Sequence, residues 1–170
     1  MSIGKISLAM GIALVWQLQA ANEITPQAQR GQQLFTAKKC ASCHKLGDEG
    51  TAIAPDITTV SRLSPRALRT IILATRTQDV IAVHLKSADI VPALRVSQDQ
   101  STLRIYDLSK FPPVLREIAS SQIASIKDND TWKHPPASAD LTDPQVADLI
   151  AFIRWASYRD REAIDPDEIR

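Results

Sequence analysis

Cys40-Ala41-Ser42-Cys43-His44 is the stretch of this chain whose residue types and spacing carry a chemical instruction. The pattern is C-x-x-C-H, two thiols about one turn apart with an imidazole directly after the second. It is the spacing at which a haem is attached covalently. Each thiol can form a thioether to one haem vinyl group, and the imidazole then sits under the iron as an axial ligand. The chain has 2 cysteines and both lie in this motif, so one site and one covalent haem are expected. Three other chemistries also use a close cysteine pair. A disulfide between Cys40 and Cys43 would close a small, strained loop. A thioredoxin-like dithiol belongs beside a βαβ pattern, which this sequence lacks. A zinc site needs a second His/Cys pair at ligand spacing, and only His84 and His134 remain, far apart in sequence.

Haem attachment of this kind requires export, and the N-terminus fits it. Residues 1–20 read as a signal peptide: Met1 to Lys5 is a short n-region, Ile6 to Trp16 an apolar core, and Leu18 and Ala20 suit cleavage after Ala20. The apolar core is about half of the roughly 20 residues that a spanning helix needs. Periplasmic localisation is therefore expected. An uncleaved membrane anchor is the alternative, because no strict A-x-A is present. The full chain carries 20 basic and 19 acidic side chains, and of these only Lys5 lies in the leader. A near-neutral mature chain argues against nucleic acid as a partner.

A second axial ligand is the open question. The 2 methionines are Met1 and Met10, both in the leader. The mature chain must then use His134, His84, a lysine, a terminal amine, water or nothing. His84 alternates with Val80, Ala82 and Lys86 on a strand face that ends polar, the position of a surface histidine. His134 precedes Pro135-Pro136, and prolines stiffen a loop that must hold a ligand. The other nitrogen of an axial histidine needs an acceptor that fixes ring orientation. The Pro55 carbonyl is a candidate for His44, with a plain turn proline as the alternative.

These residues need elements to position them. Thr25-Pro26 starts a helix with Ala28, Gly31, Leu34 and Phe35 on one face, and Gly31 there suggests close approach of another helix. Ser64-Pro65 starts a second, with Ala67, Leu68, Ile71 and Ile72 as its buried stripe. From Val80 the period changes to that of strands: Val80 to Lys86, Ile90 to Val96, Thr102 to Tyr106, Val114 to Ile118 and Ile123 to Ile126. So small a β unit is expected to lean on the helices. Thr142 and Gln145 are spaced as a capping box at the head of a terminal helix. Its stripe is Val146, Leu149, Ile150 and Ile153, with Phe152 and Trp155 beside it. Residues 159–170 read as a charged, frayed tail.

The order of helix, C-x-x-C-H, Pro55 loop, helix, ligand loop and amphipathic terminal helix resembles class I cytochrome c. Gly31 to Phe35, Ala54 to Thr58, the strands, and Leu141 to Ile153 together resemble the planctomycete-type haem-binding domain, which carries a small β element before its ligand loop. The likeness runs from about Gln27 to Ser157. It implies a mainly α fold: the cytochrome c helices with an inserted small antiparallel β-sheet or barrel, α+β overall. The haem domain would comprise residues 22–77 and 129–158, and the insert residues 78–128. That family's ligand loop offers Met-Pro where this chain has His134-Pro135, and usually has Gly where Ala54 stands. The resemblance thus implies bis-histidine ligation by His44 and His134, a lowered potential, and an electron carrier rather than an enzyme. Its donor and acceptor proteins are unspecified, and Lys38, Lys39 and Lys45 could steer an acidic one. A haem peroxidase with His134 as distal acid/base, or a sensor or docking subunit of a larger redox complex, are the alternatives.

Overall fold

Thr25 is extended and its hydroxyl accepts the Ala28 N–H at 3.2 Å, so a helix begins at Pro26, where a missing N–H costs nothing. The computed structural model describes residues 23–74, 79–134 and 140–170; the expected signal peptide lies outside them. The first described helix is α1, Pro26–Ala37. Ser64-Pro65 repeats the device for α2, Pro65–Ile72. At the head of α3, Asp143–Tyr158, the Thr142 N–H donates to Gln145 Oε1 at 2.9 Å.

α1 and α3 cross in close contact, and Gly31 is the reason. A Cβ at Gly31 would collide with the backbone carbonyl oxygen of Asp148 and lie 2.7 Å from the Phe152 Cβ. The crossing is lined by Phe35 against Phe152, with ring centroids 5.5 Å apart. At its edge the Arg30 guanidinium grips Asp148 with two bonds, 2.9 and 2.8 Å. Ala28, Leu68, Val146, Leu149, Ile150 and Ile153 complete the helical core. α2 contributes less than its pattern predicts: Leu68 is buried, but Ile71 is 47% exposed.

The segment expected to fray is packed. Ile164 and Ile169 are buried in the helical core. The Gln27 side chain brackets the Ile164 backbone, donating to its carbonyl at 2.8 Å and accepting its N–H at 2.9 Å. Arg170 and Arg69 both reach Asp143, each at 3.0 Å. Two apolar side chains in a charged run are easily overlooked, yet they are what the tail buries.

Residues 80–128 form a five-stranded antiparallel sheet in the order β6-β5-β4-β3-β7. The strands are β3 Val80–Leu85, β4 Ile90–Gln98, β5 Thr102–Asp107, β6 Val114–Ala119 and β7 Ile123–Asp128. β1 Lys45–Leu46 and β2 Glu49–Gly50 make a separate small hairpin. Alternation puts Ile81, Val83, Val91, Ala93, Leu103, Ile105 and Ile118 on one face, where they form a core of their own. No member of that core belongs to the helical one. The β unit thus has a core of its own, and Val80 and Ala82, on the other face of β3, are buried as well.

The expectation of a mainly α fold is overturned. Among the described residues about 33% are helical and about 27% are in strands. The reason is physical. The β unit is as large as a small core requires, while α1 and α2 are short, so neither class dominates.

Two stability outcomes follow. Gly31→Ala should lower unfolding free energy by about 2 kcal/mol in denaturant titration, since backbone stands where the methyl must go. The Asp143 carboxyl is held below its ordinary value of 3.8 by hydrogen bonds from Arg170 and Arg69. A depressed folded value stabilises above the unfolded one and is lost as pH falls through the folded value. Asp143→Asn should thus lower the Tm at pH 7, with the gap to wild type closing as pH drops below about 4.

Candidate functional site

α1 ends at Ala37, and Lys39 turns the chain through a left-handed conformation, φ 57°, into the one-turn helix Cys40–Ser42. The Cys40 carbonyl accepts the N–H groups of Cys43 at 3.2 Å and His44 at 3.0 Å, which brings both thiols and the imidazole onto one tight turn. Both cysteines are free and partly exposed. Burial pushes the Cys40 thiol up to about 11 and raises Cys43 as well. A redox dithiol needs the opposite shift, toward thiolate, so the dithiol alternative loses support. Among the described residues no group of three or more His, Cys, Asp and Glu side chains gathers as a metal cage, which likewise leaves the zinc alternative without support.

The loop after the motif folds back under it. The Cys43 carbonyl accepts from Ile53 and Ala54, at 3.1 and 2.8 Å, and the Ala41 carbonyl from Thr51 at 3.1 Å. Gly50, at φ 88°, passes so close to the His44 carbonyl that no side chain fits. Beyond Pro55, Asp56 caps the next turn by accepting the Thr58 N–H at 2.8 Å, a bond set that holds its carboxyl below the usual range. Pro55 is thereby fixed from both sides, and its carbonyl oxygen lies 2.8 Å from His44 Nδ1. A carbonyl can only accept, so the proton sits on Nδ1, and the Nε2 lone pair is left for a metal. Two thiols on a tight turn and an imidazole in the ligating tautomer are the donor set a covalent haem requires, so these residues fit the group.

His134 arrives from the other side of the chain. β7 runs into Asn129, whose N–H donates to the Val80 carbonyl at 2.9 Å and ties the loop to the sheet. The Asn129 side-chain oxygen accepts the Thr131 hydroxyl and the Trp132 N–H, both at 3.0 Å, and curls the segment into an Asx turn. Trp132 then stands edge-on to His134, with centroids 6.4 Å apart at 81°. The His134 and His44 rings come together, centroids 6.0 Å apart and planes inclined by 35°. His84 is not part of this gathering; it lies on β3, half-buried, opposite Ile90 and Ser125.

Asn129 and Trp132 were not identifiable as site residues from spacing. Their signal was the Asn129-Asp130-Thr131 turn chemistry just ahead of a tryptophan, which gains meaning only once the chain has folded. Asn129→Ala removes the acceptor of both turn bonds. We expect faster backbone hydrogen exchange across residues 129–134, measured by mass spectrometry, with β3 to β5 unchanged.

Lys38, Lys39 and Lys45 surround the motif and form no ion pair among the described residues. No helix among them is long and apolar enough to cross a membrane. No curated protein matches the chain significantly. The sequence pattern of the cytochrome c family matches residues 28–100, a stretch holding Cys40, Cys43, His44 and Pro55. The match spans less than half of the chain, and it is a likeness to c-type cytochromes in the segment that carries the attachment motif.

Proposed function

We propose that this chain is an exported monohaem electron carrier whose iron is held between His44 and His134 at low potential. Within the cytochromes it would be a class I protein of the planctomycete-type, with residues 78–128 as the β insert. The observation that carries the reading is the pair of imidazole rings. A metal–imidazole bond of about 2 Å, with roughly 1.2 Å from ring nitrogen to centroid, spaces two trans rings about 6.4 Å apart. The centroid separation of 6.0 Å matches that span.

Bound there, the haem would supply one-electron oxidation and reduction. The chain's residues do the rest. Cys40 and Cys43 tether the group, and a second covalent site has no cysteines to use, since the sequence contains 2. Pro55 keeps the His44 proton on Nδ1 and makes the ring a stronger donor. His44 and His134 would both be nitrogen donors to the iron, an arrangement that suits electron transfer more than peroxide chemistry. Imidazole in place of a thioether favours the ferric state and so lowers the potential. Export to the periplasm is supported by the leader pattern of residues 1–20. The redox partners would be proteins, and nucleic acid is not among them.

The test combines spectra with a redox titration of the holoprotein. Wild type should be six-coordinate and low-spin in the ferric state. Its EPR signal should be rhombic, as expected if His44 and His134, whose ring planes are inclined by 35°, both hold the group. His134→Ala should lose the low-spin signal. His134→Met should keep it and raise the midpoint potential by on the order of 100 mV. A His134→Ala protein that stays low-spin with an unchanged spectrum overturns the assignment.

A further inference from the structure

The β unit carries a surface feature that the haem site does not use. The β5–β6 hairpin leaves a cavity of about 530 Å³ lined by Asp107, Lys110, Phe111, Pro112, Val114, Leu115 and Arg116. Its apolar part is open to solvent: Phe111, Val114 and Leu115 are 50, 53 and 45% exposed. Apolar side chains clustered in this way on one surface mark an interaction site more often than chance. β6 is also an edge strand, with five of its six residues exposed, and among the described residues no strand pairs with its outer side.

The charges around this apolar floor that have no ionic partner among the described residues are basic. Lys110 and Arg116 line the cavity, and Lys39 sets its ammonium over the Phe111 ring, 5.5 Å from the centroid. Asp107 is the acidic group present, and it is spent: it is buried, accepts from Ser109 at 2.6 Å and meets Arg116 at 3.4 Å. Glu117, further along β6, is paired with Arg104 at 3.0 Å. Lys39 and Lys110 have no carboxylate partner among the described residues. Lys39 also precedes Cys40, so the cavity adjoins the haem-attachment turn.

We propose that this hairpin face docks an extended acidic segment of a redox-partner protein. The segment pairs with the outer edge of β6, sets an apolar side chain against Phe111 and Leu115, and faces its carboxylates toward Lys39 and Lys110. Docked there, the partner lies against the turn that holds the cofactor. The β insert is then the recognition surface, and the helices are the redox unit. The partner's role as electron donor or acceptor rests on the electron-carrier reading, but the docking chemistry does not.

The experiment titrates holoprotein with a short acetylated peptide of central Phe-Val-Leu flanked by Asp and Glu, followed by hydrogen exchange and NMR. A matching peptide with Lys in the acidic positions is the control. The acidic peptide should protect β6 amides and shift the Phe111 and Leu115 signals. Raised salt and the double variant K39E/K110E should each weaken it about tenfold, with the ferric optical spectrum unchanged. Phe111→Ser should weaken it while leaving the salt dependence in place. Equal binding of both peptides, perturbation away from β6, no binding, or sedimentation as a β6-paired dimer of this chain each overturns the proposal. A ferric spectrum that is not low-spin, beside normal peptide binding, faults the electron-carrier reading instead.

Discussion

Only a hydrogen atom separates the two terminal helices at Gly31. That spacing lets the Asp148 carbonyl and the Phe152 Cβ come against the backbone of α1, the helix that runs into the attachment motif. α1 leads directly into Cys40, Cys43 and His44. The two imidazoles meet although 90 positions separate them in the chain. The Arg30–Asp148 pair and the Gln27–Ile164 bracket reinforce the same junction from its two sides.

The two histidines are held by different parts of the molecule. His44 is oriented by its own neighbourhood: the Cys43 carbonyl folds the following loop back, and Pro55 receives the Nδ1 proton. His134 is held from further off, through Asn129 and its bond to Val80 at the start of the sheet. A sheet with its own core is a stiff mount, so the loop inherits a fixed origin rather than a drifting one. The insert thereby helps to hold the loop that carries His134.

Much of this was legible in the residues. Proline at the first helical position after Thr25 and Ser64, and the Thr142–Gln145 pair, are local signals, and local physics decides where helices start. The five strands fell within a few residues of the β-branched runs for the same reason. Pro55 could be singled out because few backbone acceptors are as well placed after a C-x-x-C-H turn. What escaped reading depends on contacts far apart in sequence. The balance of helix and sheet, and the separation of the two cores, depend on which apolar faces meet in space, which alternation does not reveal. Ile164 and Ile169 sit in a charged run whose composition suggests solvent, yet each finds a place in the helical core. Ile71 fits a helical stripe but faces solvent, because α2 meets α3 over a narrower strip than its period implies. Trp132 gained its place beside His134 only through a turn set by Asn129.

The claim at the centre is that the nitrogens of His44 and His134 both bind one iron. Near-infrared magnetic circular dichroism of the ferric holoprotein tests it most directly, since the position of its porphyrin-to-iron charge-transfer band depends on the identity of the two axial atoms. A single low-spin band, at the position set by two imidazoles, is the expected result. A band at the position for imidazole with lysine amine, or a high-spin signature, would contradict it.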